Sequence, residues 1–376
     1  MTVALLSPSD DASMQIAEMN FGLNMLRQSP ASEQMVVSPL SVIFALAMVQ
    51  LGAKGRTKTQ INQLISNGAG DGAIVNFYSD LSKNITNHSN GAQAKIANGF
   101  FLDKKFSIKD DYSSALVKRY AAKIEALDFG QAKITAKIID DFVNATTEGK
   151  IKDFIKEDVV DGAISLIVNA VYFKADWWNK FSHHFTAKDV FYHSKTNKRE
   201  TEFMNEYSEY RLYAENDDVM VLSLPYKDKS YAFTVLLPKK RFGLKDLRTR
   251  LNGLMIRNLL SQLKPEYLTI RIPKMKIETN YKLKEALKHM GITDLFTNQA
   301  NLTGISDLPL HVSKAAHRAL IEVDEDGTTA AAATYFVLRL TAARPNMNKP
   351  KMFVADHPFL FILTKDNNPF FIGQYA

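Results

Sequence analysis

The chain has 376 residues, 46% hydrophobic, 23% charged and 10% aromatic, a globular composition that excludes a disordered, collagen-like or low-complexity protein. Its formal charge of +7 comes from 47 basic against 40 acidic side chains spread along the whole sequence, so nucleic acid is not expected as a partner. Zero cysteines exclude a disulfide framework, an iron–sulfur cluster, a thiolate zinc site and a cysteine nucleophile, and fit a reducing compartment.

The first residues, Met1 to Leu6 and then Ser7-Pro8-Ser9-Asp10-Asp11, show no basic n-region, long apolar stretch or cleavage site. The expectation is cytoplasmic residence, with leaderless release as the alternative. A helical period runs over 11–27. Ser38-Pro39 then sets an N-cap before a proline suited to the first helical turn, and an apolar run extends to Leu51 with Gly52 as a stop. Val42, Ile43, Phe44, Leu46, Met48 and Val49 wrap around nearly every face, so this helix should be enclosed by other elements. The unbroken run Val42 to Val49 is far short of the ~20 residues that cross a bilayer, and no membrane partner is expected. Further helical periods fall at 59–66, 73–86, 109–121, 134–149, 243–262 and 280–290, and Asn67 to Gly72 reads as a loop.

Ser165 to Phe173 is apolar on both alternating faces, which predicts a strand covered on both sides of a large sheet. Other strands are expected at 94–103, 209–214, 218–224, 230–237, 267–277, 310–324, 352–363 and 369–375, with Pro225, Pro238 and Pro273 at strand ends or edges. Helices dominate the first part and strands the remainder, with no linker between them. The expectation is a single α+β domain, 1–376.

Enzyme motifs are absent: there is no Gly-x-Ser-x-Gly elbow, His-Glu-x-x-His pair, Walker loop or Gly-x-Gly-x-x-Gly turn. His183, His184 and His193 form the one close histidine group and lack a carboxylate at ligand spacing, so neither metal nor other cofactor is expected. Asp140-Asp141 and Asp217-Asp218 are adjacent and cannot converge on one substrate, which makes solvated faces of them. The basic run Lys239-Lys240-Arg241, with Lys245, Arg248 and Arg250, could attract a polyanion, but leucines interleave at helical spacing, and an amphipathic helix accounts for it better. Asn-x-Ser/Thr triplets at Asn84, Asn87, Asn144 and Asn301 matter only on a secretory path.

One segment does not look like a fold-maker. Glu325-Asp326-Gly327-Thr328-Thr329 leads through Ala330 to Ala333 and Thr334 into Tyr335-Phe336-Val337-Leu338-Arg339-Leu340, then Thr341-Ala342-Ala343-Arg344-Pro345. Alone it reads as a short helix or a loop. In context the chain resembles the serpin family from Ser38 nearly to its end. The likeness rests on Ser38-Pro39-Leu40-Ser41 with Leu51 to Gly55, Asn98 to Leu102, Thr147 to Ile151, Asn169 to Trp177, Leu224-Pro225-Tyr226, Pro273-Lys274, Leu287 to Gly291, His317 and Phe353 to Phe361. Gln34, Asp140, Ala175 and the ending Tyr375-Ala376 depart from the family pattern.

The resemblance implies a serpin fold, with a large mixed central sheet, further sheets, about eight or nine helices and an exposed reactive-centre loop over about 325–345. It also implies an inhibitor rather than an enzyme: a target protease cuts the loop and is held as a covalent acyl complex while the loop enters the sheet as a new strand. A strand of about fourteen residues at ~3.3 Å each spans ~46 Å. Glu325, Gly327, Thr328, Ala330, Ala332 and Thr334 form the hinge, and the inward parity Thr328, Ala330, Ala332, Thr334, Phe336, Leu338 carries no charge, as burial demands. Family hinge length puts the reactive bond at Thr341 and Ala342, with Leu340 or Arg339 as alternatives one or two places upstream. Leu338, Arg339 and Leu340 would set target specificity. Leu340 suits chymotrypsin-like serine proteases, or papain- and calpain-like cysteine proteases that read the upstream place; Arg339 would suit trypsin-like ones. Ser38, Ser41, Asn169, Trp177 and His317 are expected where the sheet opens. A non-inhibitory serpin acting as chaperone, carrier or storage protein is the alternative.

Overall fold

Residues 10–86, 91–120, 122–328 and 349–376 are described by the computed structural model, and among them ten α-helices and fifteen strands succeed one another. The first part runs α1 (Asp10–Arg27), β1 (Met35–Val37), α2 (Pro39–Gly52), α3 (Gly55–Ser66), α4 (Asp71–Thr86), β2 (Ala92–Asp103), α5 (Asp110–Tyr120), β3 (Lys123–Leu127), α6 (Ala132–Thr146) and a single turn, α7 (Glu157–Val160). Strands then prevail: β4 (Ser165–Asp176), β5 (Ala187–Tyr192), β6 (Lys198–Glu215), β7 (Val219–Pro225) and β8 (Tyr231–Pro238). After α8 (Leu244–Arg250) and α9 (Gly253–Ser261) come β9 (Lys264–Pro273), β10 (Met275–Tyr281), α10 (Leu283–His289), β11 (Lys314–Val323), β12 (Gly327–Thr328), β13 (Lys351–Val354), β14 (Phe359–Lys365) and β15 (Asn368–Tyr375).

Two sheets organise the fold. One has nine strands in the path β1-β15-β14-β8-β7-β6-β9-β13, with β5 on β6. The other is mixed, in the order β10-β11-β12-β4-β2-β3. The helix α2 is the hub: Ser38 caps it by accepting from the Ser41 amide, Pro39 opens it, and every residue except Leu51 is buried. The enclosure expected from its all-round apolar sequence is therefore met. Strand β4 is likewise buried along almost its whole length and is the spine of the mixed sheet, paired with β2 on one side and β11 on the other.

Four expected elements divide or lengthen. The helix expected over 243–262 is two, because Asn252 leaves the helical path and its side chain accepts from the Met255 amide as a fresh N-cap. Gly253 follows because a Cβ there would run into the Ile16 carbonyl of α1. The strand expected over 267–277 is also two, since the chain leaves the nine-stranded sheet at Pro273 and joins the mixed sheet at Met275. The 352–363 strand breaks into β13 and β14, and β6 reaches back to Lys198 beyond the expected 209–214. With the single-turn α7, the divided helix brings the total above the eight or nine that the resemblance implied.

Candidate functional site

The start of the 325–345 segment, which the resemblance makes the bait for a protease, is already part of the mixed sheet. Gly327 and Thr328 pair with Asp176 and Ala175 of β4, and Thr328 also pairs with Val323 of β11. Below this wedge the two host strands pair directly and in parallel, from Lys314 opposite Leu166 to Leu320 opposite Tyr172. The mixed sheet is thus parted by Gly327 and Thr328 at one end and closed in the middle. A side chain at 327 would collide with the Ala175 carbonyl, so glycine is what lets the segment enter there. Thr328 is fully buried and its hydroxyl bonds the Tyr226 hydroxyl. Tyr226 in turn stacks on Trp177, centroids 4.5 Å apart and planes 13° from parallel.

Trp177, the residue just after β4, fastens the segment. Its amide donates to the Asp326 carbonyl at 2.9 Å and its indole nitrogen to the Asp324 carbonyl at 2.8 Å. The Phe181 amide takes the Glu325 carbonyl at 2.9 Å. Acidic side chains complete the clamp. Glu325, only 3% exposed, receives the Thr186 hydroxyl at 2.6 Å and Lys274 Nζ at 3.0 Å. Lys180 reaches Asp326 at 2.9 Å, and His183 stands between both carboxylates, 3.7 Å from Glu325 and 3.3 Å from Asp326. Burial works to raise the Glu325 pKa, but the bonds from Thr186 and Lys274 leave its carboxyl below the usual range. For Asp324 burial outweighs the amide hydrogen bonds from Asp326 and Gly327 and raises the carboxyl pKa.

A second cluster locks the closed middle of the sheet. Asn169 of β4 lies opposite His317 of β11. The Ser41 hydroxyl donates to Asn169 Oδ1 at 2.9 Å, and Asn169 Nδ2 donates to the Ser41 carbonyl at 3.0 Å and to Asn98 of β2. The Ser38 amide donates to His317 Nε2 at 3.1 Å, so the ring proton sits on Nδ1 and points at Asn169 Oδ1. Burial depresses the imidazole pKa to about 3. The helix cap, the central strand and β11 are therefore cross-linked by one neutral network, and separating β4 from β11 must break it.

The expected residues Ser38, Ser41, Asn169 and His317 come together here, and Trp177, Glu325, Gly327 and Thr328 at the parted end. Ala330, Ala332, Thr334, Phe336, Leu338, Arg339, Leu340, Thr341 and Ala342 lie outside the described residues. Sequence reasoning missed Tyr226, Thr186, Lys180, Lys274 and Asn98 as parts of the site. It also left His183 without carboxylates, whereas the fold brings two from far along the chain; His184 and His193 do not join it. Asp140 is no solvated carboxylate: it accepts from the amides of Asp153, Phe154 and Ile155. In the basic run Lys239 pairs with Glu215 at 2.7 Å, Lys240 with Asp246 at 3.4 Å, Arg241 with Asp356 and Arg250 with Asp218 at 3.0 Å. Arg248 is buried on the Leu26 and Ser29 carbonyls and Gln374.

The profile of the serpin (serine protease inhibitor) family matches residues 17–376. The chain is a serpin. It is similar to Iripin-2 of Ixodes ricinus, with 31% identity over 97% of this chain and 94% of that one. It is also similar to the leukocyte elastase inhibitor of Sus scrofa, with 31% identity over 96% and 99%. The crystal structure of Serpin48, described as a highly specific serpin of the insect Tenebrio molitor, superposes with a TM-score of 0.85 at 26% identity, covering 97% of this chain and 96% of that one. The relative named leukocyte elastase inhibitor is by that name a protease inhibitor and not an enzyme.

Proposed function

We propose that this serpin acts as one domain and as a suicide substrate for an endopeptidase. The observation that carries this reading is the short strand Gly327–Thr328, already seated between β4 and β11 with its threonine buried against Tyr226. An inward parity free of charge through Leu338 supports continuation of that strand. The target's nucleophile attacks the carbonyl carbon at residue 341; the bond from the nucleophile to that carbon forms, the peptide C–N bond breaks, and the Ala342 amine leaves with a proton. The new strand then extends from Thr328, parting β4 from β11 and carrying the acylated protease away before water can release it. The reactive bond is Thr341 to Ala342, with cutting after Leu340 or Arg339 as the neighbouring registers. Leu340 favours chymotrypsin-like serine proteases and leucine-reading cysteine proteases equally, ahead of trypsin-like ones. The absence of cysteine fits action in a reducing compartment.

The test is Thr328→Arg, which forces a charge into the space beside Tyr226 and Trp177. The wild type should give an SDS-stable complex with a member of a protease panel, and the variant should be cut at the same bond and released. Undiminished complex formation by the variant would refute insertion.

A further inference from the structure

The outer face of the nine-stranded sheet concentrates exposed apolar side chains where the bait segment rejoins the described chain. Phe185, Tyr207, Tyr210 and Met352 are 50%, 55%, 58% and 59% exposed, values ordinarily seen for charged residues. Phe185 meets Tyr207 edge to face and Tyr210 lies beside Tyr267, each pair with centroids 5.3 Å apart. Register joins Tyr210, Tyr267 and Met352 into one surface. Tyr210 is directly opposite Tyr267, while Met352 is opposite Thr269, two places further along β9 on the same face. Met352 is thus diagonal to Tyr267, at the ~7–8 Å over which long side chains still meet. Their chain neighbours Phe353 and Leu268 are fully buried, so strand alternation commits Met352 and Tyr267 to the outside. Tyr207 falls in the irregularity between Glu206 and Glu209, with Ser208 at φ 59°, and both residues of the bulge are turned to solvent.

We propose that this face docks the body of the protease that cuts the bait segment, an inference that rests on the inhibitory reading. Position argues for that occupant. Roughly ten residues separate Ala342 from Met352, a chain length that spans at most ~36 Å. A protease of ~220 residues has a radius of gyration near ~17 Å, so the body of one that holds the bond at 341 comes within reach of the end of β13. A stable encounter covers ~800 Å² on each partner, more than a cleft filled by a few loop residues supplies. Tyrosine, phenylalanine and methionine are also the residue types that anchor the centres of such contacts. On this account the loop chooses the bond and the sheet face helps choose the enzyme.

The experiment compares wild type, a triple variant Tyr207→Thr, Tyr210→Thr, Met352→Thr, and a control Val117→Thr, Leu308→Thr that removes exposed apolar side chains elsewhere. Chymotrypsin, trypsin and papain are each prepared active and with the nucleophile replaced by alanine; the enzyme that cuts the serpin fastest is the one judged. The triple variant should bind the inactivated enzyme at least about fivefold more weakly, with an equal fall in the rate of inactivation, and the control should match wild type. A smaller change in the triple variant, or no measurable binding of any of the three, overturns the docking surface. If wild type is cut without an SDS-stable complex, yet the triple variant still loses affinity for the inactivated enzyme, trapping fails while the docking surface stands.

Discussion

The imidazole of His317 accepts from the Ser38 amide and donates to Asn169, so a second ring proton would face the Ser38 N–H with no acceptor. Burial holds its pKa at about 3, against 6.5 for a free imidazole. The unfolded chain therefore takes up this proton between pH 6.5 and 3 and the folded chain does not. The sign follows: the stabilisation is full above about pH 6.5 and drains as pH falls towards 3. Replacing His317 by Gln removes that proton from both states. Urea midpoints measured from pH 7 to pH 4 should thus fall more steeply for wild type than for His317→Gln; parallel curves would mean that the ring titrates normally in the fold. The same lock was legible in part. Ser38, Ser41, Asn169, His317 and Asn98 all lie in segments that carry the family resemblance, but that Asn98 stands opposite Asn169 and completes its hydrogen bonds follows from the register of β2 on β4, which no local pattern specifies.

Elements were legible where one rule governed a whole segment, and were misjudged where the chain changed partner. The expected strand 267–277 looked continuous because apolar residues persist. Yet Leu268, Ile270 and Ile272 are buried on one parity and Met275 and Ile277 on the other, and that slip at Pro273-Lys274 is where the chain passes between sheets. The slip also delivers Lys274 to Glu325. In 243–262 the overlooked signal is Asn252-Gly253, a turn dipeptide inside a helical period. Strand β6 was read short because Lys198 to Glu202 are solvent-facing and nearly all charged. At this scale Asn252 is testable. Its carboxamide holds the first turn of α9 through Met255, so Asn252→Ala should cost about 1 kcal/mol, a drop of ~2 °C in calorimetric midpoint. Asn252→Asp, which keeps the acceptor, should stay near wild type; equal losses in both would remove the cap from the account.

For the whole molecule, what decides is how β4 and β11 meet. At one end Gly327 and Thr328 stand between them, whereas from Leu320 opposite Tyr172 to Lys314 opposite Leu166 the two pair directly and are stapled by Asn169 and His317. Extending β12 exchanges one direct strand pairing for two and moves Phe336 and Leu338 to the buried parity. Backbone pairing at ~0.5–1.5 kcal/mol per bond roughly offsets the ordering of the chain at ~1–2 kcal/mol per residue, so side chains set the balance. Those two contribute ~1.5–3 kcal/mol each, and at ~2 °C per kcal/mol for a chain of this size they alone raise the melting midpoint by about 6–12 °C. On the insertion reading proposed above, a cut after Leu340 or Thr341 would free the segment to enter, so the nicked protein should melt well above the intact one in scans at matched rate. The same scan on nicked Thr328→Arg should show no gain, because the strand cannot pass its first buried position. A gain in both would place the stabilisation outside the sheet, and a gain in neither would mean that the native fold has nothing further to reach.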